Sequence, residues 1–126
     1  MTTIAAIAFA TLAGLTALFQ LALTLGAPWG ELTLGGKHRG ALPGPLRVVP
    51  AVSAALLLGF AGIVLSRAGV AFESLSGPAS WLIWVVVAYC ALGSVLNAIT
   101  PSRRERLLWL PVVVACLATS LVVALS

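Results

Sequence analysis

"RVVPAVSAALLLGFAGIVLS", residues 47–66, runs for nineteen uncharged residues between Arg47 and the next charge, Arg67. A helix rises about 1.5 Å per residue, so a run of this length matches the ~20 residues needed to cross the hydrocarbon core of a bilayer. Three further apolar runs, roughly 3–25, 80–100 and 105–125, are as long or nearly so. The four together predict an all-α membrane protein: a four-transmembrane-helix bundle forming one domain over residues 1–126. Composition agrees. The chain is 61% hydrophobic and only 8% charged, with a mean hydropathy of +1.15. Soluble domains carry about a quarter charged residues, and without them a water-facing surface cannot be covered.

The first run is not read as a cleaved signal peptide. No Lys or Arg precedes it, and it is longer than a typical signal h-region. The net charge of +4 does not point to nucleic acid, because the basic residues sit in connectors between apolar runs. Lys37, Arg39, Arg47, Arg103, Arg104 and Arg106 fall on the first and third connectors, and only Arg67 falls on the opposite side. The excess of Lys and Arg on cytoplasmic loops puts connectors one and three in the cytoplasm and both termini outside. Trp81 and Trp84 then open the third helix at the outer interface, while Trp29 and Trp109 lie near the inner one. Cys90 and Cys116 fall inside the third and fourth runs at similar depth, where buried free thiols are expected and a mutual contact is sterically open.

Several local signals shape the helices. Ala6, Ala10 and Gly14 on the first, and Ala51, Ala55 and Gly59 on the second, form small-residue ridges that let backbones approach closely. Ser102 followed by Glu105 reads as a capping box for the fourth helix, after Pro101 has ended the third. That gives Glu105 a structural rather than a catalytic role. Pro50 and Pro111 sit inside the second and fourth runs, where each is expected to free a carbonyl one turn earlier and bend its helix.

Between the first two runs lies "GAPWGELTLGGKHRGALPGPLR", residues 26–47. It holds half of the twelve glycines, three of the seven prolines, the only His, the only Lys and one of three carboxylates. Helix–helix connections are commonly 2–8 residues, and longer ones tend to carry function. Its apolar residues argue against a free aqueous loop, so the connector is read as lying in the interface or dipping into the mouth of the bundle. On the adjoining helices, Thr16, Gln20 and Thr24 share one face, as do Tyr89, Gly93 and Asn97. Gln20 and Asn97 lie at comparable depth on the connector side.

One reading makes these residues a polar cavity under the connector, with Gln20, Trp29, Glu31, His38, Arg39, Tyr89 and Asn97 as the ligand-binding set. Glu31 or His38 would then be the group able to move a proton, and Arg39 or Arg47 would hold an anionic headgroup. The other reading has Gln20 and Asn97 bonded to each other or to nearby backbone, while Lys37, His38 and Arg39 touch lipid phosphates. A phosphate cradle is not indicated, since Gly35–Gly36–Lys37 lacks the rest of a P-loop. No carboxylate lies in the interior of a run, Glu105 standing at the very start of the fourth; no three metal-ligating residues cluster, and no serine sits beside a credible base. These absences disfavour a proton-coupled exporter of the small multidrug type, a metal or haem site, and a serine nucleophile. The second connector, "RAGVAFESLSGPAS", reads as a solvated turn.

The stretches "GAPWGELTLGGKH", "LPGPLRVV" and "NAITPSRRERLLW" resemble a group of uncharacterised small four-helix bacterial integral membrane proteins. The resemblance covers nearly the whole chain. Its most specific part is Gly26–Ala27–Pro28–Trp29–Gly30 together with Gly35–Gly36–Lys37–His38. It implies a fold and a bacterial inner-membrane location, and no activity.

The expected function is therefore that of a small multi-pass membrane protein binding a lipid-like ligand or a membrane protein partner through the 26–47 connector, without cofactor, metal or nucleic acid. One alternative is a membrane-embedded isomerase or cyclase acting on a lipophilic substrate with Glu31 or His38 as acid/base. Another is a homo-oligomeric carrier or pore, which the small-residue ridges permit.

Overall fold

Each of the four apolar runs folds into one long α-helix. The computed structural model describes residues 1–33, 36, 38 and 40–126. Helix α1 spans Thr2–Thr24, α2 Val48–Arg67, α3 Ser76–Ile99 and α4 Arg103–Ala124. Short 3₁₀ turns at Gly30–Leu32, Gly44–Arg47 and Glu73–Leu75 punctuate the connectors. All four helices are long and apolar enough to cross a membrane. Among the described residues there is no strand, only an isolated parallel bridge between Trp29 and Gly40.

Helix ends follow local chemistry. The α1 C-terminus is a Schellman motif: Gly26 takes φ +101°, its N–H donates to the Leu23 carbonyl (3.1 Å), and the Ala27 N–H donates to Ala22 (2.9 Å). The α2 terminus repeats the device through Gly69 (φ +75°), with Gly69 N–H to Ser66 O (3.1 Å) and Val70 N–H to Leu65 O (3.0 Å). At the start of α4 the Ser102 hydroxyl accepts the Glu105 N–H at 3.2 Å, so the cap expected there is in place.

Three expectations need correction. The segment "SGPAS" is the first turn of α3 rather than part of a solvated turn. Pro78 fits there because a first-turn residue needs no N–H acceptor, and the Ser80 hydroxyl donates back to the Gly77 carbonyl (2.6 Å). Pro50 is likewise only the third residue of α2, where its missing N–H costs no intrahelical bond; Pro111 alone lies well inside a helix. The small-residue ridges also form only part of the packing seam, to which Ala6 belongs. Gly14 and Gly59 look onto open space and Ala55 is exposed. The buried face of α1 is Ala6, Phe9, Ala13 and Ala17. A strict four-residue repeat drifts roughly 40° per step around a helix of 3.6 residues per turn, whereas alternating steps of three and four stay on a straight seam.

Helix α1 packs against α2 and α4, and α3 against α4 and α2, an antiparallel four-cornered bundle with little contact across its diagonals. The core is centred on Phe9, Phe60, Val64, Ile83, Val86, Cys90, Cys116 and Val123. Both cysteines are buried and free. Large apolar side chains such as Ile4, Leu15, Leu18, Trp81, Leu92 and Leu107 face outward on all sides. A bundle apolar both inside and outside is the pattern of a membrane span, whose surroundings are as apolar as its core. At the far end, Arg67 of α2 donates to the carbonyls of Ala124 (3.4 Å) and Ser126 (2.8 Å), where the negative pole of α4 favours a cation.

Candidate functional site

The first connector is docked across the end of the bundle. Its inward anchor is Leu42, 1% exposed. Four contacts with the bundle hold the 3₁₀ turn Gly30–Leu32. The Trp109 indole N–H donates to the Leu32 carbonyl (2.9 Å), and the Ser102 hydroxyl donates to the Glu31 carbonyl (3.2 Å). The Glu31 carboxylate pairs with the Arg104 guanidinium, and the Trp29 ring stacks on Phe19 with centroids 5.8 Å apart. Phe19 in turn meets Trp109 edge-on at 4.7 Å. Gly30 is buried, and its N–H donates to the Gly40 carbonyl at 2.8 Å. Arg47 folds back over the α1 terminus: its Nε donates to the Leu42 carbonyl (3.0 Å) and its guanidinium lies against Gly26. That binds Arg47 into the connector rather than presenting it to a headgroup.

Beneath this roof lies a cavity of about 370 Å³ to which all four helices contribute. The volume is at the lower end of the range for small-molecule sites. It is a wedge between α2 and α3. The Phe60 and Tyr89 rings meet edge-on at 4.8 Å. From there toward the connector, Leu57 and Ser53 of α2 and Gly93, Leu92, Leu96 and Asn97 of α3 line the cavity. Leu92 and Leu96 line the cavity and are 59% and 54% exposed. Helix α3 sits close to α4 along this stretch because Gly93 has no side chain; a Cβ there would lie 3.1 Å from the Val113 methyl.

The wall has two chemistries. The inner end is apolar, with Phe9, Phe60, Val112 and the Cys90 and Cys116 thiols. The connector end gathers Gln20, Thr33, Asn97 and Glu105, with Trp109 beside them. Phe9 and Gln20 are eleven residues apart on α1, as are Glu105 and Cys116 on α4. The cavity thus extends for roughly 16 Å along the bundle axis.

Among the described residues, the two amides of the polar end keep hydrogen-bonding capacity. The Asn97 amide nitrogen donates to the Gly93 carbonyl one turn back (2.7 Å), which leaves the side-chain oxygen as an acceptor. Thr16 and Thr24 bond to the backbone of their own helix, at Leu12 (2.8 Å) and Gln20 (3.0 Å). The Gln20 amide makes no hydrogen bond to a described residue. Gln20 and Asn97 are therefore not bonded to each other, though Asn97 does bond its own backbone.

Of the residues singled out in the sequence, Gln20, Tyr89 and Asn97 come together in this cavity. Trp29 and Glu31 belong to the roof and its attachment to α4, and neither they nor His38 line the cavity wall. Arg39, like Lys37, lies outside the described residues. Sequence reasoning missed Glu105 as a wall residue by assigning it only to the cap. The signal was present in the spacing: Glu105, Trp109, Val112 and Cys116 fall at i, i+4, i+7 and i+11, which is one face of α4.

No protein-family model matches the chain, and no curated protein or solved structure matches it either.

Proposed function

We propose that this chain is a bilayer-embedded receptor for one amphipathic, lipid-like molecule, held in the wedge between α2 and α3 with its head under the first connector. The observation that carries this reading is the cavity itself. It has an apolar inner end, a polar end beside the first connector, and on its wall the exposed Leu92 and Leu96, between which a lipid-side entrance would lie. A molecule already dissolved in the bilayer reaches such a site sideways without passing through water. The connector acts as the lid. In this reading connectors one and three face the cytoplasm of a bacterial cell and the membrane is its inner one, in keeping with the six-to-one division of Lys and Arg. The acid/base alternative needs Glu31 or His38 at the reacting atoms, and the cavity wall contains neither.

Native mass spectrometry of protein released from mild detergent tests the proposal, with wild type beside Ser53→Trp. Ser53 is a half-buried wall residue on the rim of the wedge, so an indole there fills space without being forced into the packed core. The expected result is a discrete added mass on the wild type that is lost from Ser53→Trp at unchanged helicity. A wild type carrying no added mass, or equal occupancy in both, contradicts the proposal.

A further inference from the structure

The inner end of the cavity is closed by a complete layer of packed side chains. We infer that the wedge measures one hydrocarbon chain against this floor, so that its ligand is a single-chain amphiphile with about ten to twelve carbons in the chain. This rests on the binding proposal above and adds the size of the apolar part.

Phe9, Phe60, Cys90 and Cys116, one from each helix, form the innermost wall. One turn deeper stand Ala6 on α1, Val64 on α2, Val86 on α3 and Ser120 on α4, each 0% exposed and none of them on the cavity wall. The step is three or four residues on every helix, so these four make one layer across the bundle. The Ser120 hydroxyl is turned to the Leu117 carbonyl of its own helix (3.1 Å). An interior packed to this degree does not take an added methylene without strain. A chain that is too long meets the layer, and one that is too short leaves a void whose lining has lost its contacts.

About 370 Å³ spread over roughly 16 Å gives a mean cross-section of roughly 23 Å², a passage about 5–6 Å wide. Carbons in contact stand about 3.5–4.0 Å apart, so one zigzag chain fills this width and two abreast exceed it. Carbon–carbon bonds of about 1.5 Å advance an extended chain by about 1.3 Å each. Roughly 16 Å, less the share taken by the head at the polar end, therefore holds about ten to twelve carbons.

The test is a competition among chain lengths. Full-length protein is delipidated in a steroidal detergent that carries no alkyl chain. It is then offered n-alkyl phosphocholines of eight to sixteen carbons at equal mole fraction in the micelle, and separately the matching n-alkanoates. Native mass spectrometry reads which chain is retained. Cys116→Leu raises the floor and Phe9→Ala lowers it, while Leu15→Ala, on an outward face, is the control.

Uptake is expected to be one to one and to peak at ten to twelve carbons with both heads, at least fivefold above eight and sixteen. The peak should move to shorter chains in Cys116→Leu and to longer ones in Phe9→Ala, and should stay in place in Leu15→Ala. Didodecanoyl phosphocholine should be retained at least fivefold less than dodecyl phosphocholine. Uptake that is flat or still rising at sixteen carbons, or a peak that neither floor variant moves, overturns the chain-length assignment and leaves the receptor proposal standing. Equal retention of the two-chain lipid overturns the single-chain assignment in the same way. A wild type that takes up no probe, but loses a copurified mass in Ser53→Trp, overturns this inference alone. No probe uptake and no copurified mass removed by Ser53→Trp overturns both.

Discussion

Two glycines decide whether the first connector can lie where it does. A Cβ on Gly30 would stand 2.5 Å from the His38 carbonyl oxygen and 2.6 Å from that of Gly40, both backbone atoms with no rotamer to retreat into. Gly36 combines φ +76° with a Cβ position 2.9 Å from the Ser102 side chain. Gly40 has a similar φ of +79° but open space around it. Gly30→Ala is therefore expected to cost roughly 1–3 kcal/mol through overpacking and to expose the connector to protease. Gly40→Ala should cost only the backbone penalty, about 1–2 kcal/mol, and leave the connector protected. Thermal unfolding in detergent with limited proteolysis measures both; equal protection in the two variants would contradict a connector bridged from residue 29 to residue 40.

At the scale of elements, the first connector is held mainly by α4. The Trp109 indole and the Ser102 hydroxyl each donate to a carbonyl of the Gly30–Leu32 turn or its first neighbours, and Ser102 also caps α4. The exposed Glu31–Arg104 pair adds little, since solvent-screened ion pairs are worth ~0–1 kcal/mol. Trp109→Phe keeps an aromatic ring beside Phe19 and removes one hydrogen bond, a loss of about 1 kcal/mol. It should show as faster amide exchange in residues 30–33, with α2 and α3 unaffected. Ser102→Ala loses the cap as well and should cost about 0.5–2 kcal/mol in global stability. Exchange that accelerates equally over the whole chain in Trp109→Phe would show that the turn is not a separate unit.

For the whole molecule, orientation is the property that governs which leaflet would supply the proposed ligand. In a Cys90→Ala/Cys116→Ala background, Ser74→Cys and Ala41→Cys place single thiols at exposed positions on opposite ends of the bundle. A membrane-impermeant maleimide applied to intact cells should label Ser74→Cys, and should label Ala41→Cys only after permeabilisation. The reverse pattern would place the connector and the polar end of the cavity outside and defeat the charge argument.

The four helices were legible in the residues alone, and for a simple reason. Crossing a bilayer imposes a length and an apolarity that a continuous run either meets or does not, with no reference to the rest of the chain. Caps were equally local: Ser102 with Glu105 needs only its own turn to act. Half of the candidate site was legible too, because Gln20, Tyr89 and Asn97 are polar where polarity is costly. What the sequence by itself did not determine is which faces meet. The helices are apolar all round, so no stripe marks the buried side, and Ala6, Phe9, Ala13 and Ala17 became the seam only once α2 and α4 had closed on α1. The same closure assigned Glu31 to the roof and Glu105 to the cavity. Glu31 on the first connector and Glu105 in the first turn of α4 look alike in one dimension; the direction in which each backbone segment points separates them, and the tertiary fold alone fixes that direction.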